Sequence, residues 1–473
     1  METLHPHRWK VLAVVTLVSF LTNLDATIVI IGLAKLMEGL KLPVDMGVWM
    51  ITSYLIANTV LLLPAGRWSD MIGTKRIFLA GLAIFTLATA LCRLTSSGPA
   101  MIAYRFIQGL GAALAQATAT PIIMRTFPKQ ELGLAIGINT TSWVLGSIVG
   151  PVAGGALISA LGWRSIFWVA VPFAILGLFA ASLILEDTHT PVKIKTDWQG
   201  ILTFGAGLTA FLIVLSEGQA WGWGSSPIIG LLLATVLLWG VFVITELRVK
   251  HPLFNFNLLA NRQYLAGLGI TLNYCIGYFA ITFLLTLYLQ GALHLSPFDS
   301  GLLLLPLSVP QLIMGPLGGK LADRFGPLRQ LLTGSLLLSS GLYLLGNLGI
   351  QLSVMSIVFP LLIISVANGM AWPALAKAIL STAPREQAGE AAGMFYTVYN
   401  VGRTLSQVFV LIIVQFSIPP ATVSQALTGI AAIQDQLIIN ALVCATNTGF
   451  NILIIFFTIA LLLTSLLLYQ HFH

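Results

Sequence analysis

The stretch Gly66-Arg67-Trp68-Ser69-Asp70-Met71-Ile72-Gly73 returns later in the chain as Gly319-Lys320-Leu321-Ala322-Asp323-Arg324-Phe325-Gly326, offset by 253 residues. Each copy sets an acid four residues after a glycine, closes on another glycine, and lies between long apolar stretches. A second pair repeats the relation. Pro128-Lys129-Gln130-Glu131-Leu132-Gly133 answers to Pro384-Arg385-Glu386-Gln387-Ala388-Gly389 at an offset of 256, and Gly137 and Gly393 keep that offset. Landmarks at near-constant spacing describe a chain that repeats itself once.

Composition says what is repeated. Of 473 residues, 57% are hydrophobic and only 8% charged, against roughly 25% charged in a soluble domain. Apolar stretches of about 20 residues, the length that crosses a bilayer as a helix, recur throughout. A β-barrel would show shorter, alternating segments. The pattern predicts an all-α polytopic membrane protein of fourteen helices. They fall at 11–33, 46–66, 76–96, 99–121, 134–160, 165–185, 199–217, 226–246, 263–290, 298–318, 330–349, 353–375, 389–416 and 446–469. The first follows Arg8 and Lys10 as a signal peptide would. Its length and the lack of a small-residue cleavage site predict an uncleaved helix.

Lysine and arginine orient these spans. Seventeen fall in loops on one side, four (Lys35, Lys41, Arg93, Arg164) on the other, and Arg105 and Arg403 lie inside spans. The asymmetry predicts that both termini are cytoplasmic. Both repeated loop pairs lie on the basic side, so the halves are parallel, one plan of secondary transporters. The expected domains are a six-helix bundle over 1–190, two inserted helices within 191–255 and a second six-helix bundle over 256–473. Trp221-Gly222-Trp223-Gly224, between the inserted helices, suits an interface anchor. These two helices either tether the halves or share in transport.

The net charge of +7 is scattered through short loops, so no nucleic-acid partner is expected. Cys92, Cys275 and Cys444 lie far apart in apolar context, and the histidines show no ligand spacing. No metal and no cofactor is expected. No P-loop is present to draw on ATP.

Four further patterns sit in order on successive spans. Leu24-Asp25-Ala26-Thr27-Ile28-Val29 lies on the first, Arg105-x2-Gln108-Gly109-x-Gly111 on the fourth, and Gly146-x3-Gly150-Pro151-x2-Gly154-Gly155 on the fifth. Gly162-Trp163-Arg164-Ser165-Ile166-Phe167, with Pro172, opens the sixth. Together with Gly66-x3-Asp70-x2-Gly73-x-Lys75-Arg76, they resemble the major facilitator superfamily, and within it the fourteen-span drug:proton antiporters. The resemblance covers nearly the whole chain. It implies the major facilitator fold: two six-helix bundles related by a pseudo-two-fold axis, here with two extra central helices. It implies alternating access, a monomer, and the cytoplasmic (inner) membrane of a bacterium.

The resemblance also assigns roles. Gly146, Gly150, Pro151, Gly154 and Gly155 match the superfamily's antiporter motif. Gly66, Asp70, Gly73, Lys75 and Arg76, with Gly319, Asp323, Arg324 and Gly326 in the second copy, match its conformational latch. Physically, glycines allow helices to approach closely, and a proline inside a helix removes a hydrogen bond and bends it. An aspartate can cap a helix or pair with a cation. The same residues also read as ordinary tight turns and a generic packing face. Trp68 and Met71 stand where the family has leucine and arginine, so the first latch is expected to be the weaker. Ile30, Ala34 and Ala170 depart from the first- and sixth-helix patterns.

Ionisable groups inside a bilayer are costly and therefore functional candidates. Asp25 is the one acid deep in a predicted span; Glu217, Glu246, Asp299 and Glu390 lie near span ends. At 1.5 Å per residue, Asp25 lies about 12 Å and Arg105 about 9 Å from the outer ends of their predicted spans. A shared depth within one half makes them a candidate proton-coupling pair. A neighbouring guanidinium favours the ionised form of a carboxylate, so a change of access or partner changes proton affinity. A static structural pair is the plainer alternative. Arg403 is open to three readings: neutralising an anionic substrate group, lining the path, or bonding nearby carbonyls. Asn23, Tyr54, Asn58, Gln108, Gln116, Asn273, Tyr274, Tyr278, Tyr396 and Asn400, with Arg403, are the candidate substrate-cavity residues. The stretch 417–445 reads as an external segment, either an amphipathic cap or a linker.

No membrane-embedded nucleophile, metal set or paired carboxylates is found, so no enzyme is expected. The expected function is proton-coupled efflux of amphipathic small molecules or drugs, driven by the proton gradient, with the bilayer as the other partner. The alternative is a dedicated exporter of one metabolite, such as a siderophore or organic anion. One deep acid against two deep arginines does not favour a specialist in lipophilic cations.

Overall fold

The computed structural model describes residues 6–42, 44–186, 196–249, 252–253, 256–295, 297–349, 353–415 and 436–472. Among them there is no strand. The helices are α1 (Arg8–Leu40), α2 (Val44–Ile72), α3 (Thr74–Leu94), α4 (Gly98–Thr126), α5 (Leu132–Leu161), α6 (Ser165–Ile184), α7 (Trp198–Trp221), α8 (Ser226–Glu246), the short α9 (Phe256–Ala260), α10 (Arg262–Thr286), α11 (Pro297–Ser308), α12 (Gln311–Phe325), α13 (Pro327–Leu345), α14 (Val354–Leu380), α15 (Ala388–Gln415) and α16 (Gln436–Phe472). A π-helical turn, Leu287–Ala292, continues α10. In lipid every backbone N–H and C=O needs an internal partner, which is why apolar runs of this length become helices.

Helical structure lies over each of the fourteen predicted stretches. Among the described residues, thirteen helices are long and apolar enough to cross a membrane. α11 and α12 together, Asp299–Phe325, count as one of these, and the short α9 is not among them; of the long helices α13 stands outside the set, and it carries Arg329, Gln330 and four serine or threonine hydroxyls within its 19 residues. Several ends differ from expectation. α1 continues past 33 to Leu40, since nothing from Gly32 to Leu40 breaks a helix until Lys41 turns left-handed at φ 53°. The predicted span 298–318 is two helices, because Pro306 and Pro310 withdraw backbone donors around Val309. α16 begins at Gln436, within the predicted external segment; residues 416–435 lie outside the described ones.

The repeat is legible in the turns. Gly73 and Gly326 hold φ of 117° and 92° and precede α3 and α13. Only glycine takes that backbone without strain, so both copies require it.

The chain forms two compact units. One comprises Met1–Asn261 with Leu380–Thr397, the other Arg262–Ile379 with Val398–His473. In the first, α1 lies against α5 and α6, and α4 against α2 and α3. The inserted α7 and α8 belong to this unit. α7 meets α2 where Trp198 faces Trp68, ring centroids 6.1 Å apart. In the second unit α16 lies against α10 and α13.

Candidate functional site

Four helices of the first unit bring one buried charge cluster together. Asp25 stands near the middle of α1, and Arg105 and Gln108 lie one turn apart on α4, on a shared face. Arg105 Nη1 donates to Asp25 Oδ2 at 2.7 Å and to Gln108 Oε1 at 2.5 Å. Gln108 Nε2 donates to Asp25 Oδ1 at 2.9 Å and to Thr89 Oγ1 of α3 at 2.7 Å. From α2, the Met50 carbonyl accepts from Arg105 Nε at 3.3 Å, and the Tyr54 ring lies 4.3 Å from the guanidinium carbon. Asp25 and Arg105 are each 1% exposed and Gln108 fully buried. Both carboxylate oxygens are therefore engaged by donors, as a buried ion pair requires. Gln108 and Tyr54, expected on a substrate cavity, take part in this cluster.

The glycines of the fifth-span motif set where α1 runs. An added Cβ at Gly146 would meet Leu24 N at 3.0 Å and Phe20 O at 3.1 Å; one at Gly150 would strike Thr27, and one at Gly154 would strike Ile28. Spaced four apart, the three glycines form a groove in α5 that receives α1 on either side of Asp25. Thr27 Oγ1 donates across it to the Gly146 carbonyl at 3.1 Å. Gly155 faces open space. The Pro151 side chain lies outside the described residues.

In the first loop motif Asp70 does two things. Its carboxylate accepts from the backbone N–H of Gly389 at 3.0 Å and of Glu390 at 2.8 Å, in the first turn of α15. It also pairs with Arg125 of α4 at 2.8 Å. An anion at a helix N-terminus satisfies unpaired amides and opposes the positive dipole end. Arg67 adds an ion pair with the buried Glu390 at 2.8 Å. Gly66 permits this approach, since a Cβ there would strike the Gly389 carbonyl, and Gly393 faces the Leu62 carbonyl in the same way. Lys75 donates to the Ser182 carbonyl at 2.9 Å, and Arg76 is exposed.

The second copy repeats the cross-helix pair. Asp323 meets Lys377 of α14 at 2.5 Å, and Lys377 follows Arg125 at nearly the repeat offset. Gly319 is buried within α12. Arg324, the feature behind the expectation of a stronger second latch, lies over the Phe325 ring, 5.3 Å from its centroid. Asp70 gathers two amides and a guanidinium.

The second unit holds an aromatic and amide cluster. Tyr274 donates to Asn368 Oδ1 at 2.6 Å, Asn368 Nδ2 to Gln311 Oε1 at 2.7 Å, and Gln311 Nε2 to the Tyr278 hydroxyl oxygen at 2.8 Å. Tyr274 and Tyr278 stack with centroids 6.2 Å apart, Trp372 lies 5.1 Å from Tyr399, and Tyr399 lies 5.5 Å from Phe279. Arg403 stands over Phe279 at 5.2 Å, within cation–π range. Tyr274, Tyr278 and Arg403 were expected here; Phe279, Gln311, Asn368, Trp372 and Tyr399 were not. The missed signal was spacing: Tyr274 and Tyr278, Asn368 and Trp372, and Tyr399 and Arg403 are each four apart on one helix.

The remaining candidates disperse. Asn23 and Asn273 bond back to their own helices, to Ser19 O and Gly269 O, both at 2.9 Å. Asn58 is buried, and Gln116 and Asn400 are half-buried. Tyr396 falls in the first unit, where its hydroxyl lies 2.7 Å from Thr120 Oγ1 and its ring 5.6 Å from Trp143.

Long apolar helices, a doubled loop motif and an ion pair sealed within a helical bundle define a polytopic membrane protein of the transporter class. The family model for the Major Facilitator Superfamily matches residues 15–407 and, in a second match, 266–471; the chain belongs to that superfamily. It is accordingly a transporter and not an enzyme. It is 31% identical over 400 residues to the tetracenomycin C resistance and export protein of Streptomyces glaucescens, covering 84% of this chain and 74% of that one. It is 28% identical over 387 residues to the multidrug transporter protein MdtP of Bacillus subtilis, covering 81% and 71%. The crystal structure of the human organic anion transporter MFSD10 aligns over 96% of this chain and 100% of that chain, with a TM-score of 0.65 at 16% identity, which is a likeness of fold.

Proposed function

We propose that this protein is a proton-coupled antiporter that exports amphipathic small molecules by alternating access. It works in a bacterial cytoplasmic membrane as a fourteen-span monomer with both termini cytoplasmic. Two of its relatives, the tetracenomycin C exporter and the multidrug transporter MdtP, supply the substrate class by their names. The observation that carries the coupling is the Asp25–Arg105–Gln108 cluster. Its carboxylate is engaged on both oxygens and shut from water. A proton reaches Asp25 only when Arg105 gives way and water gains access. Protonation cancels the charge that holds Arg105, so the proton and the position of Arg105 on α4 are exchanged for one another. The α1–α5 glycine groove fixes the carboxylate while this happens, and Asp70 holds the start of α15 as a latch.

The test is substrate-dependent proton flux in proteoliposomes over a chemically diverse panel. Proton movement opposite to substrate supports antiport. Substrate movement indifferent to the proton gradient would end this reading. A second reading, a dedicated exporter of one organic anion, is favoured by Arg403, which has no carboxylate pairing with it among the described residues.

A further inference from the structure

We infer that the second unit carries a donor-rich aromatic site that selects planar aromatic compounds bearing an anionic oxygen group; the inference rests on the transport reading for its purpose, not for its geometry. The hydrogen-bond chain through Tyr274, Asn368 and Gln311 runs in one direction and ends by donating to the Tyr278 oxygen. The Tyr278 O–H proton is thereby left to point elsewhere. A phenol that accepts on one side has its donor free for a ligand. Tyr278, Phe279, Tyr399 and Arg403 are all partly exposed, so this face meets a ligand without unpacking the unit.

Two polar groups offered there, the Tyr278 O–H and the Arg403 guanidinium, are donors, beside the Tyr399 hydroxyl. Arg403 stands over the Phe279 ring at 5.2 Å, and among the described residues its N–H groups have no hydrogen-bond acceptor. Guanidinium suits the flat two-oxygen edge of a carboxylate or sulfonate. Phe279 and Tyr399 stand edge to face at 80°, and Tyr399 lies against Trp372. Such ring walls favour a planar aromatic body over a flexible chain. Asp25 is engaged by Arg105 in the other unit. Among the described residues no carboxylate pairs with Arg403, so a lipophilic cation would meet a guanidinium that no acid offsets.

The test uses the purified full-length protein at equilibrium, with no gradient. Anthraquinone-2-sulfonate is the probe; cyclohexanesulfonate lacks the plane, and an anthraquinone carrying a trimethylammonium group reverses the charge. Binding is followed by titration calorimetry. The wild type should bind the aromatic sulfonate, with each congener at least about tenfold weaker. Arg403→Gln should lose about tenfold or more toward the sulfonate and gain toward the ammonium compound, while Arg403→Lys keeps part of the affinity. Equal affinity of the wild type for the three probes, or a preference for the cation, overturns the site without any variant being needed. Loss of binding to all probes alike in Arg403→Gln, with the fold intact, overturns it as well. Selective binding with no gradient-driven efflux supports the site and ends the antiport reading. Gradient-driven efflux untouched by Arg403→Gln for every anionic aromatic tried overturns the site and leaves antiport standing.

Discussion

The Asp25 carboxylate and the Arg105 guanidinium meet at 2.7 Å across α1 and α4, each shut away from solvent. Breaking one partner of such a pair leaves an uncompensated buried charge, a loss of about 3–5 kcal/mol. Coupling and structure are separable by experiment. Asp25→Asn keeps the shape and fixes a neutral, proton-bound mimic. Net transport driven by a pH gradient should fall to the level of protein-free vesicles, while substrate binding and passive exchange persist. A folded Asp25→Asn protein that still concentrates substrate against its gradient would refute the coupling role. Arg105→Met should lower the melting temperature in detergent, and Asp25→Asn combined with Arg105→Met should recover part of that loss.

The charge pair was legible in the sequence because an acid and a base deep in spans of one half are both too expensive to be incidental. Its completion by Gln108 and Thr89 was not, because neutral side chains carry no such signature. Their meeting depends on how four helices are rotated, which an apolarity window does not encode. The glycine motif told that helices approach closely but not that α1 is the partner. The Asp70 cap on α15 joins residues more than three hundred positions apart. The offset between the loop motifs hinted at equivalence between them, not at a contact. The aromatic cluster was half visible: single tyrosines were singled out, while the i, i+4 pairings that place three helices around one site went unread.

The first loop motif makes a prediction of its own. Asp70 closes two amides of α15 and pairs with Arg125. A lost helix cap costs about 0.5–2 kcal/mol, and the Asp70 ion pair adds to it. At matched expression, Asp70→Asn should slow turnover and lower the melting temperature in detergent. Turnover unchanged from the wild type would show that the cap on α15 is not what holds the resting arrangement.

The glycine groove predicts a contrast within one motif. Gly146→Val places a side chain against the α1 backbone at Phe20 and Leu24, which has no rotamer to yield. Overpacking of this kind costs about 1–3 kcal/mol and displaces Asp25. Transport should be lost. Gly155→Ala projects into open space and should transport as the wild type does. If the two variants behave alike, the motif does not act through α1.

The basic loops predict an orientation, which single cysteines test. Of the native thiols, Cys92 and Cys275 are buried and Cys444 is exposed, so a Cys444→Ser background removes the reactive one. In that background, Ser96→Cys, between α3 and α4, and Gly224→Cys, between α7 and α8, both at exposed positions, should react with a membrane-impermeant maleimide applied to intact cells. Ile72→Cys and Arg324→Cys, beside the two repeated turns, should react only after the membrane is opened. Ile72 is exposed on the unit it belongs to, so silence in intact cells would reflect sidedness and not burial. The two repeated turns must behave alike, because parallel halves put both on one face of the membrane. Labelling of Ile72→Cys from outside with Arg324→Cys protected would make the halves antiparallel. Labelling of both from outside would invert the whole chain and place the Asp70 cap on the outer face.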